Sequence, residues 1–263
     1  MGLYSVLLFV LAVTSAFGAE TARQILDRRD ALEKGAQHWD DRQQKLAFLI
    51  HSSGADRQRE LDLYEKRYGD DERKSVVFFG APPEVKGTAF LAFTHKGKPG
   101  DQWIYLPELQ RVRPITSNTR TQSFVGTDLT YHDLDILTEM ISWTEADAAS
   151  SLRPDETVDG VACSVIELAA KRDDIKYKKI VLWLGKDDLV PRRLEFYDDD
   201  PMPTKRITQS DVRKVGAIPV AYKTKVETPA KHSSTDVTVV ETKFNQKLAD
   251  DLFTQKALEQ GPQ

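Results

Sequence analysis

The chain has 263 residues, with 37 Lys and Arg against 41 Asp and Glu, 30% charged and 40% hydrophobic. Those proportions belong to a folded globular protein and exclude a collagen-like, low-complexity or wholly disordered chain. The formal net charge of -4 argues against a dedicated nucleic-acid binder, and the one cysteine, Cys163, excludes both an intrachain disulfide and a thiolate zinc site.

Residues 1–18 carry no charged side chain, and residues 6–13 (VLLFVLAV) form an apolar run too short to span a bilayer as a helix. Ala16-Phe17-Gly18 then places small residues at the positions a signal peptidase reads. The stretch reads as a secretory signal cleaved before Ala19, with the α-amino group as its positive end. No cysteine follows it to accept a lipid, so the mature chain is expected to be exported, soluble and not lipidated.

Residues 21–34 read as a helix, with Thr21 as its cap and a narrow stripe through Ile25 and Leu32. Leu46, Phe48 and Ile50 then recur at period two over residues 44–51, Ser52-Ser53-Gly54-Ala55 is turn chemistry, and residues 57–68 form a charge-laced partner strand. Further strands are expected over residues 74–79, 88–95, 102–106 and 110–115. Gly97-Lys98-Pro99-Gly100 and Pro107-Glu108-Leu109 serve as connections among them. Residues 117–149 break this rhythm and contain a short helix over residues 130–137 that Thr130 can cap. Strands resume over residues 162–169, 178–184, 191–197, 205–215, 219–228 and 234–244, and residues 248–258 form a last short amphipathic piece.

Many short strands punctuated by turns indicate an antiparallel sheet, a sandwich or a barrel, and the absence of strand–helix alternation argues against a doubly wound fold. With no long linker or repeat, residues 19–263 are expected to form a single domain. Several strands are apolar on both faces, notably Phe90-Leu91-Ala92-Phe93, Trp103-Ile104-Tyr105-Leu106 and Ile180-Val181-Leu182-Trp183-Leu184. Such strands need cover on both sides, from helices, a second layer or a bound apolar ligand.

The motifs of serine hydrolases, zinc proteases and nucleotide-binding loops are missing, and the five histidines are scattered. Tyr131-His132-Asp133-Leu134-Asp135 offers a histidine and two carboxylates, a pattern more common on a solvated helix end than in a metal site. Asp198-Asp199-Asp200-Pro201 lacks the glycine and glutamate of a calcium loop and reads as a turn. Cys163 lies in an apolar strand with no cationic neighbour and reads as an inert core thiol. No catalytic residue, metal site or cofactor is expected. Arg111 and Arg113 share one face of a strand and, with Arg120, make a basic patch suited to an acidic partner or a lipid head group; a solvated strand face is the plainer reading.

Lys86-Gly87-Thr88-Ala89-Phe90-Leu91, the run from Asp101 to Arg113 (DQWIYLPELQRVR) and Ser123-Phe124-Val125-Gly126-Thr127-Asp128-Leu129-Thr130-Tyr131-His132-Asp133-Leu134 carry a family resemblance. So do Lys179-Ile180-Val181-Leu182-Trp183-Leu184 and Pro191-Arg192-Arg193-Leu194-Glu195-Phe196-Tyr197. In this order they resemble a bacterial family of outer-membrane lipoprotein-sorting proteins, related to the LolA and LolB-like lipoprotein carriers of the periplasm. The resemblance implies a mainly β fold with some α: an incomplete antiparallel β-barrel, or half-barrel, covered by a few helices over an apolar cavity. It implies a periplasmic carrier that binds the acyl chains of a lipid or lipoprotein and delivers it towards the outer membrane. It implies no enzymatic activity, and it gives the helices over residues 21–34 and 130–137 the role of lids. Cavity candidates from the strands are Phe48, Phe79, Phe90, Trp103, Tyr105, Leu182 and Phe196, with the parity that faces the cavity left open. An inner-membrane transporter is a further candidate partner, and a monomer is expected. The alternative is a lipid-sensing or accessory binding module for an envelope transporter or signalling complex.

Overall fold

The computed structural model describes residues 20–69 and 72–261; the expected signal peptide lies outside them. The elements, in chain order, are α1 (Ala22–Lys34), β1 (Asp41–His51), β2 (Arg57–Tyr68), β3 (Glu72–Ala81), β4 (Ala89–His95), β5 (Lys98–Leu106), β6 (Arg111–Pro114), α2 (Tyr131–Glu139), β7 (Ala148–Val158), β8 (Val161–Ala170), β9 (Lys179–Gly185), β10 (Pro191–Tyr197), β11 (Lys205–Val215), β12 (Ile218–Thr228), β13 (Ser233–Phe244) and α3 (Gln255–Gln260). Both longer helices begin at a capping box. The Thr21 hydroxyl accepts from the Gln24 backbone N–H at 3.3 Å while the Gln24 side chain accepts from Thr21, and Thr130 and Asp133 repeat the exchange at the start of α2.

The thirteen strands form one antiparallel sheet in the order β6-β5-β4-β3-β2-β1-β13-β12-β11-β10-β9-β8-β7. It is two hairpin-connected meanders joined at their first and last strands: β1 pairs with β13, Phe48 opposite Val237 and Ile50 opposite Thr235. A bulge between Lys45 and Leu46 loops out Val240, which is 64% exposed, and such bulges sharpen local twist. The sheet curls, but β6 and β7 remain edges, so the barrel does not close.

Two features departed from the sequence expectation. β5 starts at Lys98, so the β4–β5 turn is only Lys96-Gly97, with Gly97 at φ +71, and Pro99 lies ahead of Trp103, where pairing with β6 begins. β7 was not foreseen. Its sequence (ASSLRPDETV from Ala149) is polar and holds Pro154, which sits in a bulge between Arg153 and Glu156 on an edge strand, where a missing N–H costs no ladder bond.

The apolar strands are covered on both faces, by different means. The inner face of the curl carries the main core, including Phe79, Ile166, Leu182 and Phe196, under α1, α2 and the intervening loop. On the outer face of β3–β5, Val76, Phe78, Ala89 and Leu91 are covered by the C-terminal segment, which inserts Phe253 and Leu258. Buried Asp41 steers that segment, accepting from the backbone N–H of Gln246 at 2.7 Å and of Leu248 at 3.1 Å. On the outer face of β8–β10, Cys163, Val165 and Val181 pack with Trp183 and Tyr197. There the cover is charged side chains: Arg193 lies over the Trp183 ring and Lys179 over the Tyr197 ring. Burial pushes the Cys163 thiol above its ordinary range, as expected of an inert core thiol. Among the described residues, no helix is long and apolar enough to cross a membrane.

Because Phe253 anchors the outer cover and does not touch the inner face, Phe253→Ala should destabilise the protein by about 3–5 kcal/mol in chemical denaturation. Its effect on ligand binding inside the curl should be negligible at temperatures where the variant is folded.

Candidate functional site

Four neighbouring strands carry the same gradient along their inward-facing side chains. On β1 it runs Arg42, Gln44, Leu46, Phe48; on β2, Arg67, Glu65, Leu63, Leu61; on β3, Arg73, Ser75, Val77, Phe79; on β4, Thr94, Ala92, Phe90. The antiparallel registers place Arg42 opposite Glu65, Glu65 opposite Ser75, Arg67 opposite Arg73 and Arg73 opposite Thr94. All the polar ends therefore fall together, and the apolar ends do likewise. The result is a trough whose charged end is shared by four strands, while at its other end β2 turns in a single further arginine, Arg59, opposite Phe48.

The curl brings β10–β13 across from these strands, with Leu194, Ile207, Val226, Val237 and Val239 forming the facing wall of a cavity of about 450 Å³. That is within the ~300–1,000 Å³ of typical small-ligand sites. Its roof is supplied by Leu134 and Leu137 of α2, by Met140 and Ile141 just beyond it, and by Phe124 and Leu129 of the preceding loop. α1 covers the charged end with Arg29 and Glu33 and is tied to the roof where the Arg23 guanidinium donates to the Trp143 carbonyl at 2.5 Å.

Three carboxylates of α2, each mostly buried, fix the roof to the sheet and its loops. Asp133 accepts from Lys205 Nζ of β11 at 2.5 Å and from the Tyr177 hydroxyl at 2.7 Å. Burial opposes its ionisation, but the adjacent Lys205 ammonium holds it below the usual carboxylate range. Asp135 pairs with Arg120 and accepts from Gln102 Nε2 at 2.7 Å. Glu139 faces Arg172 at 3.5 Å. Burial dominates for these two, pushing Asp135 up to about 6 and Glu139 up to about 7 against the pull of their arginines.

At the charged end, Trp39 is buried beneath three guanidiniums, Arg67 at 4.4 Å and Arg42 and Arg73 at 5.1 Å from the ring centroid. Glu65 accepts from Arg42 Nε at 2.6 Å, and Glu33 from Arg67 at 2.5 Å and Arg73 at 3.1 Å. Burial works against the charge on both glutamates, but Arg42 and Arg73 hold Glu65, and Arg73 and Arg67 hold Glu33, below the ordinary carboxylate range.

The residues singled out in the sequence are divided by this geometry. Phe48 and Phe90 line the cavity. Phe79, Leu182 and Phe196 lie on the same face but are packed in the core, Phe79 against Phe124 and Phe196 against Tyr177. Trp103 and Tyr105 are on the other face of β5, where they pack with the cluster around Phe253 and Leu258, while Ile104 and Leu106 point inward to a separate recess beside Tyr131. Arg111 and Arg113 are exposed on edge strand β6, but Arg120 turns inward to Asp135 and the Gly100 carbonyl, so the three do not form one patch. His132 accepts from the Lys176 backbone N–H at 3.0 Å, and burial lowers its basicity. Among the described residues, no three His, Cys, Asp or Glu side chains come together in a metal-binding group. Sequence reasoning missed the charged end altogether. Its signal was available: the period-two runs of β1, β2 and β3 each change from charged to apolar halfway along.

A family model described as an uncharacterized protein matches residues 71–260. No curated protein matches the chain. Among solved structures, the chain is similar to an outer membrane lipoprotein-sorting protein domain from Vibrio parahaemolyticus, at 25% identity and a TM-score of 0.79, covering 89% of this chain and 99% of that one. A DUF1329 family protein from Desulfovibrio piger matches at 25% identity and a TM-score of 0.81, covering 90% and 98%. A LolA superfamily protein from Nitrosomonas europaea shares the fold at 20% identity and a TM-score of 0.66, covering 90% and 99%.

The raised values of Asp135 and Glu139 set the sign of a pH effect on the roof. Both groups bind protons more tightly in the folded chain than at their ordinary values of 3.8 and 4.5, so their contribution is fullest below those values and is lost as pH rises through about 6 and about 7. Arg120, Gln102, Asp174 and Asp101 surround Asp135, and Arg172, Asp135 and Asp174 surround Glu139. Amide exchange in α2, corrected for intrinsic rates, should therefore show greater protection near ~pH 5 than near ~pH 8. Asp135→Asn with Glu139→Gln should flatten that dependence.

Proposed function

The chain belongs to the bacterial outer-membrane lipoprotein-sorting family, and we propose that it is a periplasmic carrier that takes up the acyl chains of a lipid or lipoprotein and delivers them towards the outer membrane. The observation that carries this reading is the apolar trough between β1–β4 and β10–β13, roofed by helices and charged at one end. Such a site needs no catalytic group. Each buried methylene is worth about 0.8 kcal/mol, so a dozen supply roughly 10 kcal/mol before the cost of ordering the chain. Useful affinity therefore depends on a cavity that is largely preformed, which the pinned roof supplies. Release needs an opposing term, and we assign it to the lid helix α1, which can close over the emptied trough while α2 stays pinned. Residues 1–18 fit export by a signal peptide, and the carrier is taken to act as a single domain and a monomer, with an inner-membrane transporter as donor.

The test is binding of a fluorescent fatty-acyl probe to two variants of the trough. Ala92→Trp fills the floor, and Leu63→Glu places a charge where an acyl chain would have to desolvate it at a cost of several kcal/mol, comparable with most of the ~8 kcal/mol of a micromolar complex. Both should lose the probe while retaining a cooperative thermal transition. Normal probe binding by both folded variants would refute the carrier reading.

A further inference from the structure

We propose that the charged end of the cavity is a head-group site, and that the cargo is an acyl amphiphile with an anionic, phosphate-type head rather than a neutral or cationic one. The inference rests on the carrier reading and narrows it to a chemical class. Arg29, Arg42, Arg67 and Arg73 converge there from α1, β2, β3 and the start of β1, and the carboxylates that face them are Glu33 and Glu65. Four guanidiniums against two carboxylates leave two positive charges uncompensated in the cluster. The neighbouring acids are engaged elsewhere or turned to solvent: Asp30 pairs with Lys34, Asp135 with Arg120 and Glu139 with Arg172, and Glu72 faces His95 with its side chain 59% exposed.

Arg67 and Arg73 are directly opposed across β2 and β3, an arrangement that repels and is normally avoided. Their side chains are only 9% and 17% exposed, so solvent screens the repulsion poorly. In addition, the Nε donor of Arg29, which lines the cavity, is buried without a hydrogen-bond partner. Buried donors of this kind call for an acceptor. A phosphate monoester answers all three features, because its oxygens accept several guanidinium N–H groups at once and its charge matches the local excess. The position also fits. Ser75 of β3 and Gln44 of β1 are followed on the inner face by Val77 and Leu46, so a head held by Arg42 and Arg73 would have its acyl chain directed down the apolar trough. Glu33 competes with that head for Arg67 and Arg73. Head-group capture therefore loosens one of the ties that hold α1 over the mouth.

The experiment measures displacement of the fluorescent acyl probe by hexadecyl phosphate, hexadecanol and hexadecyltrimethylammonium, which share one chain and differ in head charge, with inorganic phosphate as a separate arm. Wild-type protein should bind hexadecyl phosphate about tenfold or more tighter than hexadecanol, the size expected for hydrogen bonds to a charged group, and the ammonium amphiphile more weakly than either. Arg42→Gln and Arg73→Gln should each cut the preference for phosphate over hexadecanol severalfold. Glu33→Gln should raise the preference, which keeps the test decisive even if an arginine variant fails to fold. If the three amphiphiles bind wild-type protein within about twofold of one another, the head-group site is refuted and the carrier reading stands. If none displaces the probe, the carrier reading itself fails. Displacement of hexadecyl phosphate by inorganic phosphate at comparable concentration would mark a free-phosphate site instead and overturn the assignment.

Discussion

An open sheet that is apolar on both faces has to find cover for each of them, and most of this molecule follows from how that is done. A closed barrel would satisfy its edges and keep only one face to bury. Here β6 and β7 each keep one free edge and do not pair with each other, so the curl is held by what lies inside and outside it. The outer face of β3–β5 is sealed by the last residues of the chain, steered there by Asp41. The inner face is packed at its two flanks, by Tyr177 and Phe196 on one side and Phe79 and Tyr131 on the other, and α1 adds Ile25 and Leu26 to the same core. Between those flanks the roof stands away from the sheet, and the space left is the cavity.

A roof that must stay up over an empty apolar trough cannot depend on packing alone. α2 is accordingly fastened by its polar face, through Asp133 to Lys205 and Tyr177, Asp135 to Arg120 and Gln102, and Glu139 to Arg172. Ion pairs this well buried contribute little net stability but strongly specify position, since an unpaired partner would be costly. α1 is fastened differently, by a short apolar stripe of Ala22, Ile25 and Leu26 and by the Glu33 contacts with Arg67 and Arg73. In the proposed carrier the two lids therefore differ in what moves them: loss of protons from Asp135 and Glu139 acts on α2, and an anion at the mouth acts on α1.

Much of this was legible in the sequence, for identifiable reasons. Strands β2, β10 and β11 fall where alternation and turn residues place them, because edge-to-edge pairing in a meander imposes the period of two locally. Thr21 and Thr130 announce their helices through capping chemistry that needs no tertiary context. β7 was hidden because an edge strand facing solvent needs neither apolar alternation nor every backbone donor, and Pro154 obscured it further. Parity was the other loss. Trp103 and Tyr105 look like cavity residues because aromatic side chains need burial, but the residues that bury them come from Phe253 and Leu258, some 150 positions later in the chain. Arg120 reads as part of a surface patch beside Arg111 and Arg113 until α2 is seen to bring Asp135 against it. The charged end was missed because its arginines lie in three separate strands and a helix, and only the register of β1–β4 shows that they meet.

The central claim is that the roofed trough holds acyl chains in the protein's own envelope. Native mass spectrometry of protein purified from that envelope without added lipid, with the bound species then identified, tests it most directly. The expected result is a complex of one protein molecule with an acyl-bearing amphiphile whose head is anionic. Protein that carries no acyl species, and that gains none when incubated with total envelope lipid, would contradict it.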